Sequence, residues 1–232
     1  MLKKTIANHL PFLGKFKRKA VAFMDSVMPA RASYSQYKED IFIWNTLRNH
    51  VLDGSIYVDV GANHPTDISN TFLLYRNGLS GVVIEPNSEL IGLFRAYRKR
   101  DTTLTIGCSN EPSVLKFFIS KTPVISSFSN NRGINLYKTQ YIPVMPLDFA
   151  LASMEFSFIS LLSIDVEGLT DKVLEGARLT LKKSLIVCLE YDSEEEKESF
   201  NKLLAQDFDL LKIFNCNMIF LSKELSIKFL KK

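Results

Sequence analysis

The chain of 232 residues has little cysteine, and its cysteines match neither a zinc site nor a disulfide framework. Cys108, Cys188 and Cys216 are odd in number, and no two of them have CxxC spacing. The chain also lacks an uncharged apolar stretch of the roughly 18 residues that a membrane-spanning helix needs. We therefore expect a cytoplasmic protein that folds without disulfides, and we assign no residue to a metal.

Positive charge is scarce in the middle of the chain and concentrated at its ends. Residues 1–31 carry seven Lys or Arg and one Asp, and residues 223–232 carry four Lys and one Glu. The total charge is +4, so residues 32–222 carry a net charge of −5. A mildly acidic domain of this kind is not expected to bind nucleic acid over a broad surface.

The basic N-terminus has two interpretations. Its lysines and apolar residues could form an amphipathic helix that makes peripheral contact with an anionic membrane. It could instead be a solvated or packing extension, because Pro11 and several lysines interrupt its apolar stretches. It lacks the continuous apolar stretch of a signal peptide. We divide the chain into a basic N-terminal extension, one domain and a basic C-terminal tail, at residues 1–33, 34–222 and 223–232.

Within the domain, short β-branched apolar runs alternate with amphipathic segments. This alternation predicts an α/β fold with a mostly parallel sheet that helices cover. Two apolar runs at the end of the domain, 208–215 and 217–223, predict an antiparallel strand pair. Before them, strands are predicted at 55–60, 81–85, 103–109, 114–120, 158–168 and 184–191, and helices at 35–51, 67–79, 87–100, 146–153, 170–181 and 193–206.

Residues 121–145 interrupt this alternation. Much of the segment is rich in Ser, Asn and Thr and has no clear period. We interpret it as an insertion over the sheet edge, where loops often carry substrate contacts. Its candidate contact residues are Ser126, Ser127, Phe128 and Asn131.

Acidic residues follow most of the predicted parallel strands, at the ends where open parallel sheets bind ligands. Several carboxylates at one rim are costly to hold together unless they bind hydroxyls, amines, a cation or a metal. The rim therefore predicts a ligand site. Its residues are Asp59, Gly61, Glu85, Ser109, Asp165, Glu167, Glu190 and Asp192.

The stretch YVDVGANHP at 57–65 ends a predicted strand in a turn at Gly61. Glycine adopts positive φ without a Cβ clash, and the following helix would point free N–H groups at an anion. Glu85 lies 24 residues after Gly61, a spacing typical of an acid that binds ribose hydroxyls. An NAD site would also show this pair, but the phosphate-binding G-x-G-x-x-G is absent, which favours a ligand without a pyrophosphate.

Three residues are candidates for catalysis. In SIDVEG, Asp165 and Glu167 are two apart and would face the same side of an extended strand. Such a pair could hold a metal, accept a hydroxyl proton or orient a cation, or could only cap the next helix. His64 follows the glycine turn, and histidine titrates near neutrality as a general base should, although a loop histidine is more often a hydrogen-bonding residue.

Four motifs together resemble the FkbM family of S-adenosylmethionine-dependent methyltransferases. They are YSQYKED at 34–40, VDVGANHPTDISNT at 58–71, GVVIEPN at 81–87 and LLSIDVEG at 161–168. The resemblance implies a class I methyltransferase, Rossmann-like fold, with a mostly parallel seven-stranded sheet, helices on both faces and a C-terminal antiparallel strand pair. It implies S-adenosylmethionine as the cofactor and O-methylation of a hydroxyl on a sugar, polysaccharide or related small molecule.

The resemblance also implies roles for single residues. Asp165 and Glu167 would lie where the methyl donor and the acceptor meet, and either of them or His64 would take the acceptor proton. The residues implied in cofactor binding are Gln36 and Asp40, with Glu39, on a helix that closes over the cofactor, Asp59, Gly61 and Asn63 at its methionine part, Glu85 at its ribose, Ser109 near its adenine, and Asp165.

Two other functions remain open from the sequence. A nicotinamide-dependent oxidoreductase would share the turn and Glu85, but this chain lacks the second and third glycines of the G-x-G-x-x-G motif. A cofactor-binding scaffold without turnover could use the basic ends to contact a membrane or a partner. The sequence defines neither the acceptor nor the oligomeric state.

Overall fold

The computed structural model describes residues 23, 32–50, 52–120, 126–128 and 136–229. Most of the predicted N-terminal extension and the candidate contact residue Asn131 lie outside these residues. The helices are α1 (Glu39–Leu47), α2 (Phe72–Arg76), α3 (Ser88–Tyr97), α4 (Leu147–Ala150), α5 (Thr170–Glu175), α6 (Arg178–Lys182), α7 (Glu194–Leu204) and α8 (Lys223–Phe229). The strands are β1 (Ser55–Val60), β2 (Gly81–Ile84), β3 (Thr102–Leu104), β4 (Gly107–Cys108), β5 (Ser113–Ser120), β6 (Leu136–Met145), β7 (Phe158–Ile164), β8 (Ser184–Glu190), β9 (Phe208–Phe214) and β10 (Asn217–Ser222).

Seven strands form one sheet in the order β3-β2-β1-β7-β8-β10-β9. The first five are parallel, and β10 runs antiparallel to both β8 and β9. The turn between β9 and β10 contains Asn215 with φ of 49°, a left-handed conformation that Asn tolerates better than most residues. The predicted α/β fold and its terminal antiparallel pair are therefore confirmed.

The sheet is buried on both faces, as its continuous apolar strands predict. Val58 and Val60 of β1 point to one face, where they pack with residues of α4 to α7. Tyr57 points to the opposite face, where α1, α2 and α8 supply Ile43, Leu47, Leu74 and Leu225. Because strand residues alternate, Asp59 shares the face of Tyr57, below α1 and α2.

The predicted strand 103–109 is two strands in two different sheets. β3 pairs with β2 at the edge of the large sheet, whereas β4 pairs with β6 in a second sheet of order β4-β6-β5. Gly107 of β4 explains the departure, because a Cβ there would lie 2.7 Å from the Phe128 ring. The chain leaves the large sheet at this point to pack against the insertion.

Several predicted elements are shorter than their apolar patterns. The predicted helix 67–79 begins at Phe72, and the predicted helix 170–181 is divided between α5 and α6 at Gly176. A Cβ at Gly176 would lie 2.3 Å from the carbonyl oxygen of Ser109, so this junction packs directly on the chain after β4. At Gly176 a tertiary contact thus divides a helix that the sequence pattern alone would continue.

The predicted basic tail begins with a packed helix. Leu225 of α8 is buried, and the Phe229 ring stacks on Phe158 of β7 with ring centroids 4.1 Å apart. Residues 230–232 lie outside the described part of the chain. Among the described residues, no helix has the length and apolar character to cross a bilayer.

Candidate functional site

The ends of β1 and β7 define the centre of the candidate site. The strand order reverses there, because β2 and β3 lie on one side of β1 while β7 and β8 lie on the other. Open α/β sheets bind ligands outside the carboxyl ends of their strands at such a position. The N–H of Asp165, just after β7, donates to the Val60 carbonyl at 2.9 Å, so the two loops touch.

Gly61 is the residue at which these loops meet. Its φ is 78°, in the region that favours glycine. A Cβ at this position would lie 1.9 Å from the carbonyl oxygen of Asp165, which is backbone and cannot rotate away. Gly61 is therefore required by its own conformation and by the close approach of Asp165.

The backbone N–H groups of the turn are used within the protein. Those of Gly61 and Ala62 donate to the Ile84 carbonyl at 2.9 and 3.3 Å, and that of Asn63 donates to the Glu85 carboxylate at 3.0 Å. The next helix begins only at Phe72. The expectation of free helix N–H groups beside Gly61 is therefore wrong, because the turn binds a carboxylate of its own chain.

Glu85 is held in place by backbone donors on both sides. It is 5% exposed, and its two carboxylate oxygens accept from the N–H groups of Asn63 at 3.0 Å and Asn87 at 2.7 Å. Each oxygen keeps a lone pair for a further donor. Burial raises the pKa of Glu85 to about 7, although the two N–H groups favour the ionised form. The residue is thus an oriented acceptor that changes charge near neutral pH.

Asp59 is buried below the loop that follows β1. Its Oδ2 accepts a hydrogen bond from the Thr71 hydroxyl at 2.5 Å. Burial raises the pKa of Asp59 above its ordinary value, while the Arg98 guanidinium and the Thr71 hydroxyl lower it. The charge on Asp59 therefore depends on side chains from α2's N-terminus and from the end of α3.

His64 stabilises the loop in which it lies. Its Nδ1 accepts from the backbone N–H groups of Thr66 at 3.3 Å and Asp67 at 3.1 Å, and the side chain is 7% exposed. Because Nδ1 is an acceptor, the proton of the neutral ring is on Nε2. The unprotonated nitrogen of the neutral ring is therefore the one that accepts the two backbone N–H groups.

Asp165 and Glu190 form a carboxyl pair at the ends of β7 and β8. Withdrawal from water, a side-chain hydrogen bond with Glu190 and the like charge of Glu190 raise the pKa of Asp165 well above 3.8. The Cys216 thiol donates to Glu190 at 3.3 Å. Burial and the like charge of Glu190 both favour the protonated form of Asp165, so the Asp165 carboxyl can hold a proton that it accepts.

Asp165 and Glu167 do not lie in a strand, contrary to the prediction from SIDVEG. β7 ends at Ile164 and α5 begins at Thr170, so both residues belong to the loop between them, in which Gly168 has φ of 78°. The two-residue alternation that would place them on one side therefore does not apply. Glu167 instead meets the insertion, because its carbonyl accepts from the Ser127 hydroxyl at 3.1 Å.

The model of the methyltransferase FkbM domain matches residues 59–221. The chain belongs to the FkbM methyltransferase family. Among solved structures, a methyltransferase FkbM from Methylobacillus flagellatus KT is 14% identical with a TM-score of 0.49. The match covers 90% of this chain and 60% of that one, so this chain spans less than two thirds of its length. A precorrin-6y C5,15-methyltransferase from Geobacter metallireducens GS-15 is 8% identical with a TM-score of 0.42, and 84% of this chain covers 93% of that one. No curated protein matches the chain.

The segment before α1 folds around the Asp40 side chain. Its carboxylate accepts from the hydroxyls of Ser33 and Ser35 at 2.7 and 2.9 Å and from the Tyr34 N–H at 2.7 Å. Helix α1 begins at Glu39, after Lys38 with φ of 72°. Because the predicted helix started at 35, this boundary is corrected, and Asp40 anchors the segment with its own side chain.

Gln36 and Glu39 differ in their exposure to solvent. Gln36 is exposed and donates to the Tyr37 hydroxyl at 2.9 Å, so it precedes α1 and is not part of the helix. Glu39 is fully buried and accepts from Asn217 of β10 at 2.7 Å. Glu39 therefore connects α1 to the sheet beside Glu190.

Ser109 follows β4 in the second sheet. Its N–H donates to the Met145 carbonyl at 3.1 Å, and its hydroxyl contacts the Asn110 side chain at 3.3 Å. The predicted role near an adenine remains a prediction. In the described part of the chain, no group of three or more His, Cys, Asp or Glu is arranged to hold a metal ion.

Three polar side chains at this site were not singled out from the sequence. Asn70 donates to the Ser163 hydroxyl at 3.3 Å and so joins the β1 loop to β7. Thr71 binds Asp59, and Arg98 is completely buried behind it. Asn70 and Thr71 lie in the TDISNT part of the motif at 58–71, whereas nothing in the sequence pattern indicates a role for Arg98.

Asp165→Asn is expected to flatten the pH dependence of stability of the ligand-free FkbM domain. The folded pKa of Asp165 is raised, so its contribution is fully present below pH 3.8 and is lost as the pH rises toward the folded pKa. Asn does not titrate and removes this loss. Thermal unfolding between about pH 5 and about pH 8 measures it. Glu190→Gln should flatten the profile in the same direction, and a wild-type slope in both variants would contradict the assignment.

Proposed function

We propose that the chain is an S-adenosylmethionine-dependent methyltransferase that methylates a hydroxyl oxygen of a sugar, polysaccharide or related small molecule. The observation that carries this proposal is the buried Glu85 carboxylate, which Asn63 and Asn87 orient at the end of β2. Its remaining lone pairs suit the two vicinal hydroxyls of a ribose. Membership of the FkbM family supports methyl transfer as the reaction.

The acidic residues around the turn fit a cationic cofactor. The sulfonium and ammonium groups of S-adenosylmethionine would offset the cost of carboxylates that are withdrawn from water. Asp59, Gly61 and Asn63 would hold the methionine part, and Glu85 the ribose. When bound, the cofactor supplies an activated methyl group, and the chain's own residues align the acceptor oxygen with it.

Within this proposal, Asp165 accepts the proton of the acceptor hydroxyl. Its pKa is raised well above 3.8, toward the range in which a general base operates. Glu190 then stabilises the protonated form through their shared hydrogen bond. His64 is the weaker candidate because its Nδ1 already accepts two backbone N–H groups. Glu167 remains a candidate to orient the acceptor.

The acceptor would approach over the β5–β6 hairpin. The Ser127 N–H and carbonyl pair with Phe118 of β5, and the Ser127 hydroxyl binds the Glu167 carbonyl. Phe128 packs on Phe117 with ring centroids 4.8 Å apart. These contacts fix one part of the insertion against the loop that contains Asp165, which supports a role for the insertion in acceptor binding.

Methyl transfer is tested with S-adenosylmethionine that carries a labelled methyl group and a panel of monosaccharides, oligosaccharides and polysaccharides. We expect the label in an O-methyl ether. Asp165→Asn should lower kcat by about 100- to 10,000-fold while cofactor affinity changes little, as for loss of a general base. His64→Gln should retain most of kcat. Equal loss in both variants would contradict the assignment of Asp165 as the base.

The chemistry proposal itself fails if the purified protein does not bind S-adenosylmethionine. In that case NAD is the informative second probe, because the glycine turn and Glu85 are shared with nicotinamide-dependent enzymes. Thermal stabilisation by NAD, without any by S-adenosylmethionine, would favour an oxidoreductase. Binding of S-adenosylmethionine by a protein whose Glu85→Gln variant binds equally well would remove the observation on which the proposal depends.

A further inference from the structure

Arg98 is a charged side chain buried in the middle of the domain. It follows α3, is 0% exposed, and pairs with Asp101 at 2.7 Å, also fully buried. A buried guanidinium is costly unless all its donors are used. Arg98 meets this condition, since its five N–H groups face five acceptors: Asp101, the Tyr57 hydroxyl, the Pro65 carbonyl, and the Ser69 and Thr71 hydroxyls, at 2.7, 2.9, 3.2, 3.4 and 3.0 Å.

These acceptors belong to two groups with different functions. Asp101 and Tyr57 neutralise and seat the guanidinium, because Tyr57 also donates to Asp101. The carbonyl of Pro65 and the hydroxyls of Ser69 and Thr71 belong to the loop that connects β1 to α2. Arg98 therefore ties this loop, which carries Asn63 and His64, to the end of α3.

The hydrogen-bond chemistry fixes a direction at Thr71. Arg98 has donors only, so the Thr71 hydroxyl oxygen accepts from it. The single hydroxyl proton of Thr71 then has two acceptors in reach, and Asp59 at 2.5 Å is much nearer than the Ser69 hydroxyl at 3.5 Å. A hydrogen bond from a hydroxyl is stronger to a carboxylate than to a neutral carboxyl group. The arrangement thus favours an ionised Asp59 in one orientation.

We propose that Arg98 and Thr71 are positioning residues that keep Asp59 ionised and oriented for the cationic end of the methyl donor. This inference rests on the proposed function for its ligand, but its effect on Asp59 is a property of the protein alone. The other charged or titratable groups that act on Asp59 or are acted on by it are Asp101, Glu85, Asp165 and Cys188.

The test is a carboxyl carbon-13 NMR titration of Asp59 in the ligand-free protein, with the resonance assigned by Asp59→Asn. Thr71→Val removes the hydroxyl and keeps the branched shape. We expect the Asp59 midpoint to rise by about one to two pH units, since a hydrogen bond to a charged group has that size. Thr71→Ser keeps the hydroxyl and should hold the midpoint within about 0.3 unit.

Thr180→Val is the matched control. Thr180 is buried, as Thr71 is. Its hydroxyl donates to the Asp148 carboxylate at 2.7 Å, between α4 and α6. It should cost stability as Thr71→Val does but leave the Asp59 midpoint unchanged. Should Thr71→Val not fold, Arg98→Lys is the second variant, because a lysine keeps the charge but cannot reach all five acceptors; it should also raise the midpoint.

Two results would overturn the inference. An Asp59 midpoint in Thr71→Val within about 0.3 unit of wild type, or an equal rise in Thr180→Val, would leave Thr71 a packing residue. Titration with S-adenosylmethionine is the separate ligand arm: Thr71→Val should bind more weakly than wild type, and Thr71→Ser should bind like wild type. If neither the wild type nor the variants bind S-adenosylmethionine but the midpoints move as expected, the proposed function fails and the positioning of Asp59 stands.

Discussion

Glu85→Gln is expected to weaken S-adenosylmethionine binding by about 100-fold or more at about pH 8. The wild-type carboxylate offers an acceptor to each of two ribose hydroxyls, whereas glutamine has one oxygen and turns an NH2 toward Asn63 or Asn87. Isothermal titration calorimetry measures the change. Glu175→Gln, which alters an exposed carboxylate that binds Asn110, is the matched control and should bind like wild type.

The same residue predicts a pH dependence of affinity. Only ionised Glu85 accepts two hydroxyls, and its pKa is about 7 in the ligand-free protein. Wild-type affinity should therefore fall by about tenfold between about pH 8 and about pH 6, and the Glu85→Gln variant should lose this slope. Equal slopes in the two proteins would exclude Glu85 as the group that titrates.

Ionisation of Glu85 lowers the stability of the ligand-free protein, whereas it strengthens ligand binding. Its folded pKa is raised from 4.5 to about 7, so its contribution is fully present below pH 4.5 and is lost as the pH rises through about 7. The loss is about 3 kcal/mol in the free energy of unfolding. The ligand-free protein should thus be less stable at about pH 8 than at about pH 5, while binding is stronger at the higher pH.

Gly61→Ala is expected to lower the free energy of unfolding by about 3–5 kcal/mol. The backbone at φ of 78° is unfavourable for alanine, and the new methyl group would lie 1.9 Å from the Asp165 carbonyl oxygen. Since both groups are backbone-fixed, the ends of β1 and β7 would have to separate. Urea denaturation measures the loss.

Gly78→Ala separates the two causes of this loss. Gly78 also has positive φ, at 100°, but a Cβ there would meet nothing within 4 Å. It should cost only about 1–2 kcal/mol, the conformational part. If Gly61→Ala costs no more than Gly78→Ala, the close approach to Asp165 has no energetic consequence and the account of the turn is wrong.

The parts of the fold that the sequence predicts well are those with a dominant local signal. The buried strands β1, β2, β7 and β8 are short runs of Val, Ile and Leu, and burial on both faces of a parallel sheet requires such runs. The strand pair β9–β10 follows from two apolar runs around a tight turn. Each prediction depended on residues adjacent in sequence, which is why it held.

The errors occur where a distant contact decides the local structure. The alternation of apolar and acidic residues in SIDVEG continues past Ile164, but the loop that contains Asp165 leaves the sheet to meet Gly61. The predicted strand at 103–109 is divided because Gly107 packs against Phe128, 21 residues away in the sequence. Periodicity within a segment contains no information on either contact.

The candidate site was also predictable only in part. Asp59, Gly61, Glu85 and Asp165 stand at strand ends, and sheet topology alone brings such residues to one rim. The pairing of Asp165 with Glu190 depends on the register of β7 and β8, and the contact of Arg98 with Thr71 depends on how α3 packs. Neither register nor packing can be derived from the spacing of residues along the chain.

The most direct test of the account is a calorimetric titration of the purified wild-type protein with S-adenosylmethionine at about pH 8, repeated with Glu85→Gln. We predict saturable binding at one site per chain in the wild type and at least about 100-fold weaker binding in the variant. Absence of binding to the wild type, or equal affinity in both proteins, would contradict the claim that the Glu85 end of β2 is a methyl-donor site.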